Sequence, residues 1–191
     1  MNNLMEIEQK YWANGLTKEE FEARIRSWHN PLMIKSHYVV SCDDYYVRLD
    51  SHSEDFIRFR KGGDRFELTI KRKEGSNLIR KEINLDVSKN DDLAISSFLT
   101  LLGYEKSFQV YKEAWIWNLQ RCDASYYTLS DGRSVIELEA HGEFSDKEEA
   151  VNTIYKWENN LGITSLIKEN RSLYEIYTEE ISLARLDKAR K

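Results

Sequence analysis

The chain has 191 residues, of which 41% are hydrophobic and 12% aromatic, enough to build one domain with a sizeable core and to exclude disorder over most of its length. Charged residues make up 32% of the chain at a formal net charge of −5, so general nucleic-acid binding, which usually needs a basic protein, is not expected. Apolar stretches such as residues 94–104 fall well short of the roughly 18 residues of a membrane-spanning helix, so no membrane association is expected.

The distribution of special residues predicts one domain in the cytoplasm. Acidic residues precede any apolar run near the start, so no secretory signal is expected. Cys42 and Cys122 are isolated, without CxxC spacing or a nearby histidine, which is typical of a reduced compartment and indicates neither a zinc site nor a disulfide. The single proline, Pro31, and eight glycines leave no linker, so residues 1–191 are predicted to form one domain.

The hydrophobic patterns predict a series of strands with a few helices. Thr17 and Glu20 form a capping box at the start of a helix, and Gly62 and Gly63 indicate a hairpin turn. Helices are predicted over residues 17–28, 88–102, 145–161 and 172–188. Strands are predicted over residues 4–11, 37–46 as one strand or two, 56–61, 65–73, 78–87, 107–118, 124–129 and 134–140. This order predicts an α+β fold, an antiparallel barrel of about eight strands with helices packed outside.

Each predicted strand has one apolar face and one charged face, because residues two apart share a face. Ile57 and Phe59 alternate with Arg58 and Arg60, for example. The other charged residues in such positions are Glu6, Glu8, Lys10, Glu67, Lys71, Lys73, Arg80, Glu82, Asp86, Glu137 and Glu139.

These charged faces allow two interpretations. Most antiparallel sheets cover a core with the apolar face and expose the polar face to water. Solvated faces usually mix Thr, Ser, Gln and Lys, however, whereas these concentrate Arg, Lys and Glu. A barrel that closes with the charged faces inward would enclose a tunnel suited to a polyanion carried by a divalent metal. Carboxylates bind Mg²⁺ or Mn²⁺, and Arg and Lys bind phosphate oxygens.

The charged motifs also occur in a recognisable order along most of the chain. They are Glu6-Ile7-Glu8-Gln9-Lys10, Phe56-Ile57-Arg58-Phe59-Arg60, Glu67-Leu68-Thr69-Ile70-Lys71, Arg80-Lys81-Glu82, Leu102-Gly103-Tyr104, Val110-Tyr111-Lys112, Ile136-Glu137-Leu138-Glu139 and Ser172-Leu173-Tyr174. Together they resemble the CYTH domains, the triphosphate tunnel metalloenzyme superfamily, which includes class IV adenylyl cyclases, thiamine triphosphatases and inorganic tripolyphosphatases. The resemblance implies a single CYTH-like domain with a closed eight-stranded antiparallel barrel, the triphosphate tunnel.

The resemblance also implies roles for the inward charges. Ligands of Mg²⁺ or Mn²⁺ would be Glu6, Glu8, Glu137 and Glu139, with Glu82 as a supporting acid. The triphosphate would be bound by Lys10, Arg58, Arg60, Lys71, Lys73, Arg80 and Lys112. Candidate catalytic residues are Glu6, Glu8, Lys10 and Lys112. The structural alternative for these acids is an inward network of ion pairs. Glu67 and Asp86 are also predicted to point inward, and they are expected to be salt-bridge partners of the bases.

Three positions depart from the family pattern. Asn84 stands where an acid is usual, Ala114 where a base is usual, and Val47-Arg48 where Asp-Thr commonly follows the tyrosine pair. These departures concern the phosphate contacts and the substrate, while the metal-binding acids remain. Trp115 and Trp117 are predicted to face outward and to pack beneath a helix, and the scattered histidines are not needed by this chemistry.

Three functions fit this reading. The first is metal-dependent hydrolysis of a triphosphate-containing small molecule: tripolyphosphate, thiamine triphosphate or a nucleoside triphosphate. The second is a class IV adenylyl cyclase, which forms cyclic AMP and pyrophosphate from ATP. The third is a non-catalytic module that binds polyphosphate or nucleotides. The protein would be a monomer or a homodimer, because apolar residues of the last helix, such as Tyr174, Ile176 and Tyr177, suit either the core or a dimer contact.

Overall fold

A computed structural model describes residues 5–28, 35–48, 56–63, 65–73 and 79–189. Its elements are β1 Met5–Trp12, α1 Lys18–Trp28, β2 Ser36–Arg48, β3 Phe56–Gly62, β4 Arg65–Lys73, β5 Ile79–Asp86, α2 Asp92–Leu101, β6 Tyr104–Leu119, β7 Cys122–Leu129, β8 Ser134–Ala140, α3 Lys147–Asn160, β9 Lys168–Glu169 and α4 Leu173–Ala189. Two predicted strands begin at residues outside the described ranges, Leu4 and Leu78. The same is true of three residues named in the sequence, Pro31, His29 and His52. None of the helices within the described ranges is long and apolar enough to cross a membrane.

The strands close into an antiparallel barrel in the order β5-β4-β3-β2-β6-β7-β8-β1, and β1 pairs back with β5. Glu6 of β1 lies opposite Arg80 of β5 at the closing seam. Farther along β1, Lys10 and Tyr11 pair instead with the two-residue β9. The predicted α+β fold with an eight-stranded barrel is confirmed. β9 was not predicted from the sequence, because a strand of two residues is too short to show a hydrophobic periodicity.

The apolar faces of the strands lie outside the barrel, beneath three helices. Phe21 of α1 and Ile154 of α3 are buried against the outer face of β1, β6, β7 and β8, with Trp117 and Ile136. The rings of Phe21 and Trp117 meet edge to face at 5.7 Å between centroids. The prediction that Trp117 packs beneath a helix is therefore confirmed, and burying these faces outside leaves the charged faces inside the barrel.

The second outer core lies beneath α2. Leu99 of α2 is buried against Ile57, Phe59 and Leu68 on the outer face of β3 and β4. The helix begins four residues later than predicted, because Asp91 is the N-cap and its carboxylate accepts the backbone N–H of Ala94 at 2.7 Å. This core fixes β3, the strand that carries Arg58 and Arg60.

Helix α4 packs on the inward face at one end of the barrel. Leu173 and Ile176 are buried with Tyr45, Phe56 and Val110, residues that share the inward face with the charged positions. Tyr174 stacks on Phe56 at 4.5 Å between ring centroids. With Ile176 only 2% exposed, this part of α4 belongs to the core, which decides between the two alternatives left open by the sequence.

Candidate active site

The barrel encloses a cavity of about 300 Å³ that is lined by charges of both signs. Predicted site residues that line it are Glu6, Glu8, Lys10, Arg58, Arg60, Lys71, Glu82, Lys112, Glu137 and Glu139. Arg80 lies just behind this lining, where it bonds Glu8. The backbone of Lys73 belongs to β4, and its side chain lies outside what the structure describes. The predicted alternation thus brings residues of six strands together around one space.

Lys71 of β4 joins two carboxylates from different strands. Its Nζ lies 2.6 Å from an oxygen of Glu6 on β1 and 2.6 Å from an oxygen of Glu82 on β5. Burial raises the pKa of Glu6 well above its usual range, and the nearby Glu8 raises it further. Although burial opposes it, the Lys71 ammonium lowers the pKa of Glu82 to about 2. Lys71 is therefore shared by two acids, of which Glu82 is stabilised in its charged form and Glu6 is not.

Glu8 of β1 lies in a second buried cluster. Arg80 Nη1 donates to its carboxylate at 2.7 Å, and Lys10 also donates to it. The Lys10 ammonium lies 3.1 Å from Glu137 on β8 as well. Burial alone would raise the pKa of Glu8, but Lys10, Lys71 and Arg80 hold it well below the usual range. Glu8 is accordingly charged, and its cations tie β1 to β5 and β8.

Glu139 differs from Glu8 in that its pKa is raised. It lies beside Glu8 in the register of β8 and β1. Burial raises the pKa of Glu139 to about 7, with the negative charges of Glu137 and Glu8 as further causes. Burial and the neighbouring acids thus disfavour a charge on Glu139, in contrast to Glu8.

Asp43 of β2 is a buried acid that the sequence reasoning missed, and it contacts two bases that line the cavity, Arg60 and Lys112. It is 0% exposed, and its carboxylate accepts Arg60 Nε at 2.8 Å and Nη2 at 2.9 Å. Lys112 Nζ lies 3.2 Å away. Burial lowers the pKa of Lys112 to about 8, and Arg60 lowers it further while Asp43 opposes the change. Asp43 shares the inward face with Tyr45, so the alternation of β2 was the available signal, obscured by the adjacent Asp44.

Arg58 is held by a chain of neutral hydroxyl and amide groups. Its Nη2 donates to Thr69 Oγ1 at 3.0 Å, and this hydroxyl donates to Asn84 Oδ1 at 2.7 Å. Asn84 Nδ2 in turn donates to Glu82 at 2.6 Å. Asn84 therefore links the arginine to the Glu82 carboxylate without adding charge. Thr69 is a second site residue that sequence reasoning missed, because a threonine on a strand is unremarkable.

The two acids expected as salt-bridge partners behave differently. Glu67 lies 3.6 Å from Arg58 and lines the cavity, as expected. Asp86 is exposed, and its carboxylate accepts the backbone N–H of Ser88 at 2.8 Å. The expectation for Asp86 is wrong, because it is the last residue of β5 and bonds the turn that follows the strand.

The donor chemistry of the cavity fits a hard divalent cation. Its acids offer carboxylate oxygens, the ligands that Mg²⁺ and Mn²⁺ take. Burial, and after it the neighbouring carboxylates, raise the pKa values of Glu6 and Glu139, and a bound cation would oppose this effect. Across the part of the chain that the structure describes, no three His, Cys, Asp or Glu side chains are already arranged around a common metal position. Lys71, Lys10 and Arg80 bond the carboxylates instead.

The fold is shared with several solved structures. The chain matches no family profile and no curated protein. The PH1819 protein of Pyrococcus horikoshii OT3 superposes with a TM-score of 0.72 at 20% identity, over 92% of this chain and 99% of that one. A candidate adenylate cyclase from Vibrio parahaemolyticus gives 0.66 at 14%, over 91% and 98%. A chain of the Schizosaccharomyces pombe Mediator head module gives 0.61 at 11%, over 86% and 100%. These superpositions show that the predicted barrel fold is shared with solved structures.

Proposed function

We propose that the protein hydrolyses the terminal phosphate of a triphosphate in the barrel cavity, with the help of Mg²⁺ or Mn²⁺. The observation that carries this proposal is the two-signed lining of one enclosed space. Carboxylates and bases that could neutralise each other on an ordinary surface are here withdrawn from water, which costs free energy for each ion. A ligand that itself combines a metal cation with a polyanion uses both signs at once.

The carboxylates are proposed as the metal-binding part of the site. Glu6, Glu8, Glu137 and Glu139 would hold the ion, with Glu82 in support. A bound divalent cation lowers the pKa of a water ligand and withdraws charge from phosphate oxygens. The ammonium group of Lys71 contacts Glu6 and Glu82. When the metal binds these acids, the ammonium would leave them and contact a phosphate oxygen of the substrate instead.

The bases are proposed to orient the triphosphate. Arg58 and Arg60 offer paired N–H donors to phosphate oxygens, while Lys10, Lys71 and Lys73 act as compact charges, with Arg80 behind them. In the reaction, a water oxygen forms a bond to the terminal phosphorus, the bridging P–O bond breaks, and diphosphate leaves. Lys112, with its pKa near 8, is unprotonated in a substantial fraction of molecules at that pH and can accept the proton of the water.

Two other functions remain as alternatives. The first alternative is cyclisation of ATP, because the fold is shared with the Vibrio candidate adenylate cyclase. In this reaction the ribose 3′-hydroxyl attacks the α-phosphorus and pyrophosphate leaves. The likeness to a chain of the Mediator head module favours a third, non-catalytic use of the fold within an assembly. The single domain over residues 1–191, the cytoplasmic location and the monomeric or dimeric state stay predictions from the sequence.

³¹P NMR of the purified protein with Mg²⁺ or Mn²⁺ tests the proposal. Tripolyphosphate, thiamine triphosphate and ATP would be incubated separately. Orthophosphate and a diphosphate product are expected, and they should vanish in the Glu6→Ala/Glu8→Ala variant. Glu105→Ala, a change at an exposed position of β6, is the matched control and should keep activity. Cyclic AMP and pyrophosphate would instead establish the cyclase, and no turnover of any of the three would overturn catalysis.

A further inference from the structure

Part of the outer face of β4 and β5 lies at the surface as an apolar patch. Leu68 of β4 is buried beneath α2, but Leu85, which lies opposite it on β5, is 54% exposed. Farther along the same two strands Ile70 lies opposite Ile83, and these side chains are 41% and 44% exposed. Helix α2 therefore covers only part of β4 and leaves these apolar side chains of β5 in contact with water.

Helix α2 adds two side chains to this surface. Leu99 is buried against the sheet, and on one flank of the helix Ser96 contacts the hydroxyl of Tyr46 on β2 at 3.2 Å. At about 100° per residue, Phe98 and Leu102 lie on the opposite flank, which faces β4 and β5 because these strands follow β3 on the side away from β2. Their side chains are 54% and 49% exposed. We call the five exposed residues the β4–β5–α2 patch: Ile70, Ile83, Leu85, Phe98 and Leu102.

The size of this patch is typical of an interaction surface. The exposed fractions of its side chains correspond to roughly 500 Å² of apolar surface, near the upper end of what monomeric proteins leave in one patch. With the polar side chains at its edge it approaches the ~800 Å² that each partner contributes to a standard protein interface. Contact with a partner would remove this apolar surface from water, which is favourable.

The charges at the two ends of the patch differ in sign. Arg72 of β4 lies opposite Lys81 near the start of β5, and both bases are exposed. Beyond the other end of β5, residues 86–92 carry three exposed acids and one base. A two-fold axis through the middle of the patch would bring the basic end of one copy against the acidic end of the other. Such an arrangement is attractive at both ends of the interface.

We propose that the protein forms a two-fold symmetric homodimer through the β4–β5–α2 patch. A second copy fits this surface because the surface is complementary to itself, with apolar residues at the centre and opposite charges at the ends. An apolar patch that binds a membrane surface would instead carry bases around it. Lys71 and Glu82 lie on the inward faces of the same strands, so the contact leaves the cavity free. The proposal does not depend on the reaction that the cavity performs.

Sedimentation velocity of the full chain from ~1 to ~100 µM tests the proposal. The wild-type protein should sediment as two chains at the upper concentrations. Ile83→Asp should weaken the dimer by at least about ten-fold, because it places two charges at the centre of the apolar contact. Val40→Asp is the matched control, since Val40 is 49% exposed on the outer face of β2, and it should leave the dimer unchanged.

Two results would overturn the proposal. The first is a wild-type protein that is monomeric over this whole range. The second is a dimer that Ile83→Asp, shown to be folded by its cooperative urea denaturation, weakens no more than Val40→Asp does.

Lys81→Glu tests the two-fold arrangement without placing a charge among the apolar residues. It sets an acid against the acidic end of the second copy at both ends of the interface. The dimer Kd should therefore rise several-fold at low salt, and the difference from wild type should shrink at high salt, where exposed charges are screened. A Kd that this substitution leaves unchanged at low salt would contradict the proposed two-fold contact.

Discussion

The Asp43 carboxylate lies between Arg60, which donates to it through Nε and Nη2, and the Lys112 ammonium 3.2 Å away. One buried acid of β2 thus balances two bases of β3 and β6 that line the cavity. Burial would raise the pKa of Asp43, but Lys112 and Arg60 lower it far below its usual range. The two bases are therefore held in place before any phosphate arrives, which reduces the ordering that binding requires.

Asp43→Asn should destabilise the protein by about 3 kcal/mol at neutral pH, because it leaves two buried cations without their counter-charge. An acid with a lowered folded pKa stabilises above its unfolded pKa, and this stabilisation is lost as pH falls towards the folded value. The difference between wild type and variant should therefore narrow below about pH 4. Urea denaturation over a pH series measures this.

Asp92→Asn is the control for that measurement. Asp92 pairs with Lys61 at 3.0 Å, but its side chain is 55% exposed, so its removal should change stability by less than about 1 kcal/mol. If Asp43→Asn costs no more than this exposed pair, Asp43 does not balance the buried bases.

The same Asp43→Asn variant should shift the pH dependence of turnover. Asp43 raises the pKa of Lys112 against burial and Arg60, which together bring it to about 8. Without that carboxylate the pKa falls further, so the rise of kcat/KM with pH should move to lower pH. A lower rate with an unmoved pH profile would mean that Lys112 is not the group that titrates.

Glu139 makes the metal-free protein less stable at neutral and alkaline pH than at acidic pH. Its folded pKa of about 7 exceeds the ordinary value of 4.5, so the native state holds an extra proton between these values. Stability should therefore fall as pH rises through this window, and Glu139→Gln should remove on the order of 1 to 2 kcal/mol of that loss, less than the full shift because water reaches the cavity. Urea denaturation in a chelator at about pH 5 and about pH 8 tests this. A Gln variant with the wild-type pH slope would contradict the assignment.

Most of the residues that line the cavity could be predicted from the sequence, because side chains two residues apart on a strand share a face. Arg58 and Arg60, or Glu137 and Glu139, share faces whatever the barrel's details, and the apolar residues between them must pack under helices. Asp43 was missed because Asp43-Asp44 breaks the alternation, although its position before Tyr45 is inward. The packing of α4 was undecided, since an amphipathic helix shows that one face is buried but not against what.

Asn84→Asp should make the protein depend more strongly on divalent metal for stability. Asn84 Nδ2 donates to Glu82, whereas a carboxylate there would repel it and lose the hydrogen bond. The variant should be about 1 kcal/mol less stable than wild type in a chelator, and Mg²⁺ should restore it. Thermal unfolding with and without Mg²⁺ compares the two proteins. A variant that Mg²⁺ stabilises no more than wild type would place the metal away from Glu82.

The contact of α4 with the inside of the barrel can be tested at one residue. Ile176 is 2% exposed and packs with the inward-facing residues Tyr45 and Phe56. Phe56 lies on the same face of its strand as Arg58, which lines the cavity. Ile176→Ala should cost about 2 to 4 kcal/mol of unfolding free energy, because it creates a void where the helix meets the barrel. Leu183→Ala, on the same helix but 55% exposed, should stay within about 0.5 kcal/mol of wild type in the same urea titration. Equal effects of the two changes would mean that Ile176 does not pack against the inward face of the barrel. A large cost at Ile176 alone would establish this contact of α4 with the inward-facing residues.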